Sequence, residues 1–594
     1  MSSQFRDIKT VDSTNHSYTF EQNVSVPLSN GSVLRCNVYK PKAASAENPF
    51  PVILTYGPYG KDVSYLQFNP KSFAEVDPAH QTEHSAWETP TPQYWTDHGY
   101  IVIRADEIGI GQSPGVLHVT SAATIDGMCD LIEWAAQQPW CTGKVGLLGV
   151  SYYAGTQWQA AARQPKGLTA IVPWEGFSDP YSESLRHGGI LSNKFLDMWF
   201  NRQVGPNQFG LPGRAARNWG PDTVDGDLST DDLRANRHKV DRNELRFRDS
   251  EEQAAVNINL QDVNVPVLSV ANLGGLLLHL RGNVLGYLWA GSEFKYLRFI
   301  VGRHDLPFYY PEEVEVQRSF LDAWLKGQDR EGWTKKGSMP PVDLILRKGN
   351  VGYNDPIAEK RYLRRKENEW PLARTQYTSL FLTADRGLQF EKPSLPFPKK
   401  VSYRALGNQQ DLSSIVTFRS MAFEHETEIT GHIVVHLNVS VSRDRYGTTP
   451  SDIDLFISLR HLSHSGEEIC YTGTAGEPVP VTKGWLRVSL RKTNPQHPRH
   501  RPWLPYRDYY STDVLPVIPS EVYPVDVEIW PTSVVVEEGG RLVLEVSSED
   551  TAGTGFFGHD DPTDRSEAVF KGQNHINFGP DYTNYVTLPI IPSE

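Results

Sequence analysis

Cysteine is scarce in this 594-residue chain, which holds only Cys36, Cys129, Cys141 and Cys470. No two of them form a C-x-x-C pair, so neither a zinc ribbon nor a disulfide framework is indicated, and a reducing compartment is expected. Long apolar runs are also missing. None approaches the roughly 20 residues that a membrane helix needs, so no membrane association is expected. The opening MSSQFRDIKTVDSTNHSYTF is polar and has no apolar signal core, which leads to the expectation of a cytoplasmic protein. Basic residues are outnumbered, with 58 Lys and Arg against 71 Asp and Glu and a formal charge of −13 at pH 7. A phosphate backbone would be repelled, so nucleic acid is not an expected partner. No H-E-x-x-H and no acidic loop of EF-hand spacing occurs. The pair His432 and His436 falls on an expected strand, where that spacing does not converge as it would on a helix. The stretch from Gly109 to Gly111 lacks the third glycine and the downstream acid of a dinucleotide site. Neither a metal nor a cofactor is therefore expected.

What is present is ordinary globular material: 39% hydrophobic, 11% aromatic and 22% charged residues, enough for several cores. Residues 19–40 look like a hairpin turned at Asn30-Gly31. Apolar segments then recur at α/β spacing: 51–56 (PVILTY), 100–105 (YIVIRA), 144–150 (KVGLLGV), 168–172 (LTAIV), 265–270 (VPVLSV) and 295–301. Between the second and third, residues 121–140 place Ile125, Met128, Cys129, Ile132 and Ala136 at helical spacing. Strand, helix, strand implies a parallel sheet with right-handed crossovers. Residues 181–264 are too long for one crossover and carry a helical patch from Leu233 to Leu245, so a helical cap is expected there. Residues 317–327 (QRSFLDAWLKG) read as a closing amphipathic helix stopped by Gly327. From about residue 340 the pattern changes to short alternating strands split by Gly, Pro and Asn. The expected organisation is an α/β core over 1–180 and 265–335, the cap over 181–264, and an all-β sandwich or jelly roll over 340–594.

One motif carries chemistry. Gly149-Val150-Ser151-Tyr152-Tyr153-Ala154-Gly155 follows a buried strand and opens a helical stretch. A serine on such a tight strand-to-helix turn has its hydroxyl exposed above the sheet, and small residues around it let the backbone turn and the helix approach. Here Gly149 stands two residues before the serine, but Tyr153 stands two after it, and the small residues are Ala154 and Gly155.

The longer stretch WCTGKVGLLGVSYYAG (140–155) resembles the p-W-s-G-K-V-G-x-x-G-x-S-Y-x-G signature of the CocE/NonD-type hydrolases. That family includes cocaine esterase, α-amino-acid ester hydrolases and X-Pro dipeptidyl-peptidases. Three more segments are similar to it in the right order. They are PVILTYGPYGK (51–61), DEIGIGQSPG (106–115) with Ile108 where the family has Arg, and ITGHI (429–433), followed by GWLR (484–487) and GRL (540–542). The resemblance spans about residues 20–590 and implies an α/β-hydrolase fold with an inserted cap and a C-terminal jelly roll.

The resemblance also implies site residues. Ser151 would be the nucleophile. Tyr59 would donate its phenol to an oxyanion, with the backbone N–H of Tyr152 as second donor. His304 in FIVGRHDL (299–306) follows the last core strand and would be the base; of 18 histidines it alone combines that place with the chain order. Its neighbour Asp305 is expected to point elsewhere. The family's acid position is Gly275 in NLGGL (272–276), and a glycine cannot orient an imidazole. Glu175, at the end of the strand after the nucleophile's helix, is the candidate substitute, and Asp179 is the alternative. His279, Leu273, Leu306 and Trp174 are candidate pocket residues, Leu273 and Leu306 standing where the family has Trp.

Three functions remain open on sequence. One is a serine hydrolase cleaving an ester or amide of a small organic or natural-product substrate through an acyl-enzyme. Another is a relative repurposed for natural-product metabolism as an acyltransferase, lyase or cyclase, which Gly275 favours. The third is a binding protein that uses its β module. Many relatives associate, so a homodimer is left open.

Overall fold

The computed structural model describes residues 7–211, 213–222, 231, 245–406, 412–443 and 449–592. Its first sheet is built from β1 (Tyr18–Pro27), β2 (Val33–Pro41), β3 (Phe50–Gly57), β4 (Ile101–Asp106), β5 (Cys141–Val150), β6 (Leu168–Trp174), β7 (Val267–Asn272) and β8 (Lys295–Ile300). The spatial order is β1-β2-β4-β3-β5-β6-β7-β8. Of these eight strands β2 runs antiparallel to the other seven, which share one direction. Parallel strands are covered on both faces, which is why they read as unbroken apolar runs. Val52 and Leu54 of β3 join one core and Ile53 the other, as the two-residue period of a strand requires.

Helix α1 (Ala122–Ala136) starts at Ser121, whose side chain accepts from the Thr124 N–H. It buries Ile125, Met128, Leu131, Ile132 and Ala135 on one face. Helix α2 (Tyr152–Arg163) follows β5 directly, and α3 (Leu280–Trp289) crosses from β7 to β8. The closing helix α4 (Pro311–Leu321) begins earlier than its sequence pattern suggests, because Pro311 fits the first helical turn. It ends in a wide turn at Asp322–Lys326, with Gly327 at φ 72° as the left-handed stop.

In 181–264 the described helices are short, the longest being Asn193–Trp199. The expected patch from Leu233 to Leu245 lies outside the described residues except for Leu245. The Arg186–His187 and Ile190–Leu191 hairpin packs on the C-terminal module, where His187 Nδ1 meets His559 Nε2 at 2.8 Å.

Beyond residue 340 the described residues form mainly strands, with short helical turns such as Pro356–Glu359 and Glu567–Phe570 between them. β9 (Val342–Lys348) pairs at one end with β8 and at the other with β12 (Tyr523–Val536), so one strand belongs to both sheets. The long β10 (Thr427–Ser442), with β11 (Asp454–Leu462), β12 (Tyr523–Val536) and β13 (Arg541–Ser547), frames the sandwich. His432 and His436 fall on β10, and their rings take separate partners, Trp370 and Asp526.

Candidate active site

Ser151 sits between β5 and α2 with φ 63° and ψ −117°, a conformation that ordinary residues avoid. Its N–H is held by the carbonyls of Trp174 and Glu175, at 3.1 and 3.0 Å. A Cβ on Gly149 would lie 2.6 Å from Cβ of Tyr153, and one on Gly155 would lie 2.4 Å from the Phe177 ring. These two close approaches account for the spacing of small residues: with Tyr153 two positions on, the helix needs its glycine at 155.

Two histidines converge on the serine. Nε2 of His279 lies 3.1 Å from the Ser151 hydroxyl. The His304 ring stacks on the His279 ring, with centroids 5.2 Å apart. His304 is itself bracketed by carboxylates: Nδ1 meets Glu175 Oε2 at 2.8 Å, and Nε2 meets Glu88 Oε1 at 3.1 Å. All four side chains are buried. Burial alone would lower the His304 pKa, but Glu175 and Glu88 outweigh it and hold the ring well above the ordinary histidine range. Burial, with His304 alongside, pushes His279 well below that range. Nδ1 of His279 is buried without a partner among the described residues.

Glu175 leaves β6 at φ 46°, with its N–H on the Val270 carbonyl. Its second oxygen accepts from the amide of Asn272 at 3.2 Å, and the same amide donates to the Gly302 carbonyl at 2.8 Å. At the end of β7, then, an asparagine braces a carboxylate supplied by β6. Gly275 contributes only backbone, its N–H donating to the Asn272 carbonyl. Asp179 is directed away from both histidines. It accepts from Arg248 at 2.7 Å, and Arg248, with Arg281, outweighs burial and keeps its carboxyl below the usual range. Asp305 accepts from Arg303 at 2.6 Å and also engages Ser72.

A cavity of about 490 Å³ opens over Ser151, with Tyr59, Glu88 and His304 in its wall. The Tyr59 hydroxyl accepts from the indole N–H of Trp199 at 2.9 Å and lies against the side chain of Ser151, and burial raises its pKa well above the usual tyrosine range. The N–H of Tyr152 belongs to the first turn of α2, where no carbonyl lies four residues back. The Tyr152 phenol points elsewhere, donating to Glu107 at 3.0 Å. The C-terminal module completes the rim: Thr474, Ala475 and Phe556 line the cavity, and the Thr474 carbonyl accepts from the His304 N–H at 3.0 Å.

Of the candidate pocket residues, only His279 brings its side chain to the serine hydroxyl. Leu273, Leu306 and Trp174 are packed into the hydrophobic cores behind the site, and the leucine in the cavity wall is Leu278. Glu88 escapes a sequence reading. It lies in a loop, and the one hint is its place next to Trp87, ahead of the helix Pro92–Asp97 that leads to β4.

Two family profiles match the chain: X-Pro dipeptidyl-peptidase (S15 family) over residues 30–275, and X-Pro dipeptidyl-peptidase C-terminal non-catalytic domain over 334–587. A cocaine esterase from Rhodococcus sp. is 33% identical, the match covering 97% of this chain and 99% of that protein. A CocE/NonD family hydrolase from Staphylococcus aureus shares the fold with a TM-score of 0.78 at 26% identity, over 98% of this chain and 96% of that one. An aminopeptidase from a marine sediment archaeon (Thaumarchaeota) is similar in fold, with a TM-score of 0.66 at 16% identity over 99% of both chains.

Proposed function

Because the chain belongs to the CocE/NonD family of serine hydrolases, we propose that it cleaves an ester or amide bond of a small organic or natural-product substrate through an acyl-enzyme on Ser151. In this reading His304 takes the proton of Ser151 and passes it to the leaving group, while Glu175 holds the imidazole tautomer and supports the imidazolium. Tyr59 and the Tyr152 N–H receive the oxyanion. Such preorganised donors are worth roughly 3–4 kcal/mol each in the transition state.

The observation that carries the reading is the Glu175 carboxylate on Nδ1 of His304 at 2.8 Å, beside a serine in a strained strand-to-helix turn. A non-hydrolytic reaction of natural-product metabolism is suggested only by the glycine at 275, and Glu175 supplies a carboxylate by another route. His279 is the weaker base: its Nδ1 has no acceptor among the described residues to support a positive charge, and the His304 ring lies against it.

The test is hydrolysis of p-nitrophenyl esters in ¹⁸O-water. One ¹⁸O atom in the released acid, together with covalent labelling by a fluorophosphonate that is lost in Ser151→Ala, is the expected result. A product formed without water, or labelling that survives in Ser151→Ala, removes the hydrolytic reading.

A further inference from the structure

The nitrogen of His304 that must receive the serine's proton is already occupied. Nε2 faces the Glu88 carboxylate at 3.1 Å while Nδ1 faces Glu175 at 2.8 Å. Two carboxylates on the two ring nitrogens are both satisfied only when the ring carries both protons, or when one carboxyl is itself protonated. A ring that donates from Nε2 cannot accept from Ser151. We propose that Glu88 is a positioning residue for His304: in the substrate-free enzyme it keeps a proton on Nε2 and the ring turned from Ser151, and so sets the acid limit of activity. This inference rests on His304 being the base.

Glu88 is built for the task. Its backbone is at φ 61°, and its carbonyl accepts from the Val150 N–H at 3.1 Å, which pins the loop to the strand that carries Ser151. The side chain is 5% exposed and lines the cavity over the serine. Burial raises its pKa against the opposing pull of His304, and across the 3.1 Å contact the two groups hold one proton between them. The exchange moves only that proton: imidazolium with carboxylate becomes imidazole with carboxylic acid, and no bond between heavy atoms changes. When the shared proton is lost to solvent, a bare Nε2 and an ionised Glu88 face each other as two acceptors. They repel, and the ring is released towards the hydroxyl of Ser151.

The other groups around His304 do not supply this effect. His279, ahead of α3, is held neutral. The Tyr59 phenol, above α2, is held protonated by burial. On the histidine's own loop, Arg303 and Asp305 pair with each other. Glu175 charges the ring from its other side and leaves Nε2 free, which an ordinary triad requires.

The experiment is the pH profile of kcat/KM on p-nitrophenyl acetate for the full chain, with the rate of fluorophosphonate labelling as a second readout. Wild type should lose activity on the acid side with a midpoint above the ordinary histidine value of about 6.5. Glu88→Gln, which keeps the shape and removes the charge, should move that midpoint down by about one pH unit or more and raise activity near pH 6. Glu88→Asp should keep the high midpoint. If Glu88→Gln fails to fold, Glu88→Ala carries the same test. An unchanged midpoint in a folded, charge-free variant overturns the proposal while leaving the base assignment intact. Undiminished turnover and labelling in His304→Asn would instead overturn the base assignment, and this proposal with it.

Discussion

Nε2 of His279 is hydrogen-bonded to the hydroxyl of Ser151 at 3.1 Å, across 128 positions of the chain, although among the described residues His279 has no carboxylate of its own. In the proposed mechanism the contact would separate two tasks that a single histidine performs in a simple triad: one ring would orient the hydroxyl, and the other would carry the charge. A neutral hydrogen bond of this kind contributes about 1 kcal/mol. His279→Ala should therefore lower kcat by about five- to tenfold, while His304→Ala removes nearly all turnover. Equal losses, measured on the same ester, would make His279 the proton acceptor.

Ser151→Ala should leave the circular dichroism spectrum unchanged and lower kcat by about 10⁴-fold or more. Retained turnover would end the acyl-enzyme mechanism.

Glu175→Gln should cost about 10⁴-fold in kcat, the loss seen when a serine protease triad loses its acid. Combined with His304→Ala it should be little worse than either single change, because the two act as one unit. Additive losses would show that they act independently. Asp179→Asn should be nearly silent in kcat, since that carboxylate serves Arg248.

Tyr59→Phe removes the proposed oxyanion donor and little volume. The expected outcome is a kcat lower by about 10² with KM almost unchanged. A change confined to KM would make Tyr59 a substrate contact.

The sheet was legible in the sequence because parallel strands are buried on both faces and leave continuous apolar runs such as PVILTY and KVGLLGV. Ser151 was legible because the turn that exposes it demands small neighbours at fixed offsets, here Gly149 and Gly155. Glu88 and His279 were not readable in the same way. Each reaches the site from a separate loop, and nothing local in HSAWETP or LLLHLRG records which ring or hydroxyl it will face. Leu273 and Leu306 were misplaced because a large apolar residue beside a site suits its wall as well as the core behind it. Glu175 could be named but not separated from Asp179 four residues later, because the choice depends on Arg248 and Arg281 arriving from elsewhere to claim the aspartate.

A chain cut at residue 335 should be inactive and should aggregate. It would expose β8 as an unpaired edge and remove the Thr474 carbonyl from the His304 backbone. A soluble fragment with full turnover would show that the β module is dispensable.

The strand β9 carries a mechanical consequence. Its first residues, Val342 and Asp343, are hydrogen-bonded into the hydrolase sheet, and its last, Arg347 and Lys348, into the sandwich. A hinge needs a seam that few bonds cross, and here the seam is itself a strand. The two halves should therefore melt in one calorimetric transition rather than two. Substrate traffic must then depend on the loop that bears Trp87 and the short helix that ends at Trp199, moving within a frame that does not open.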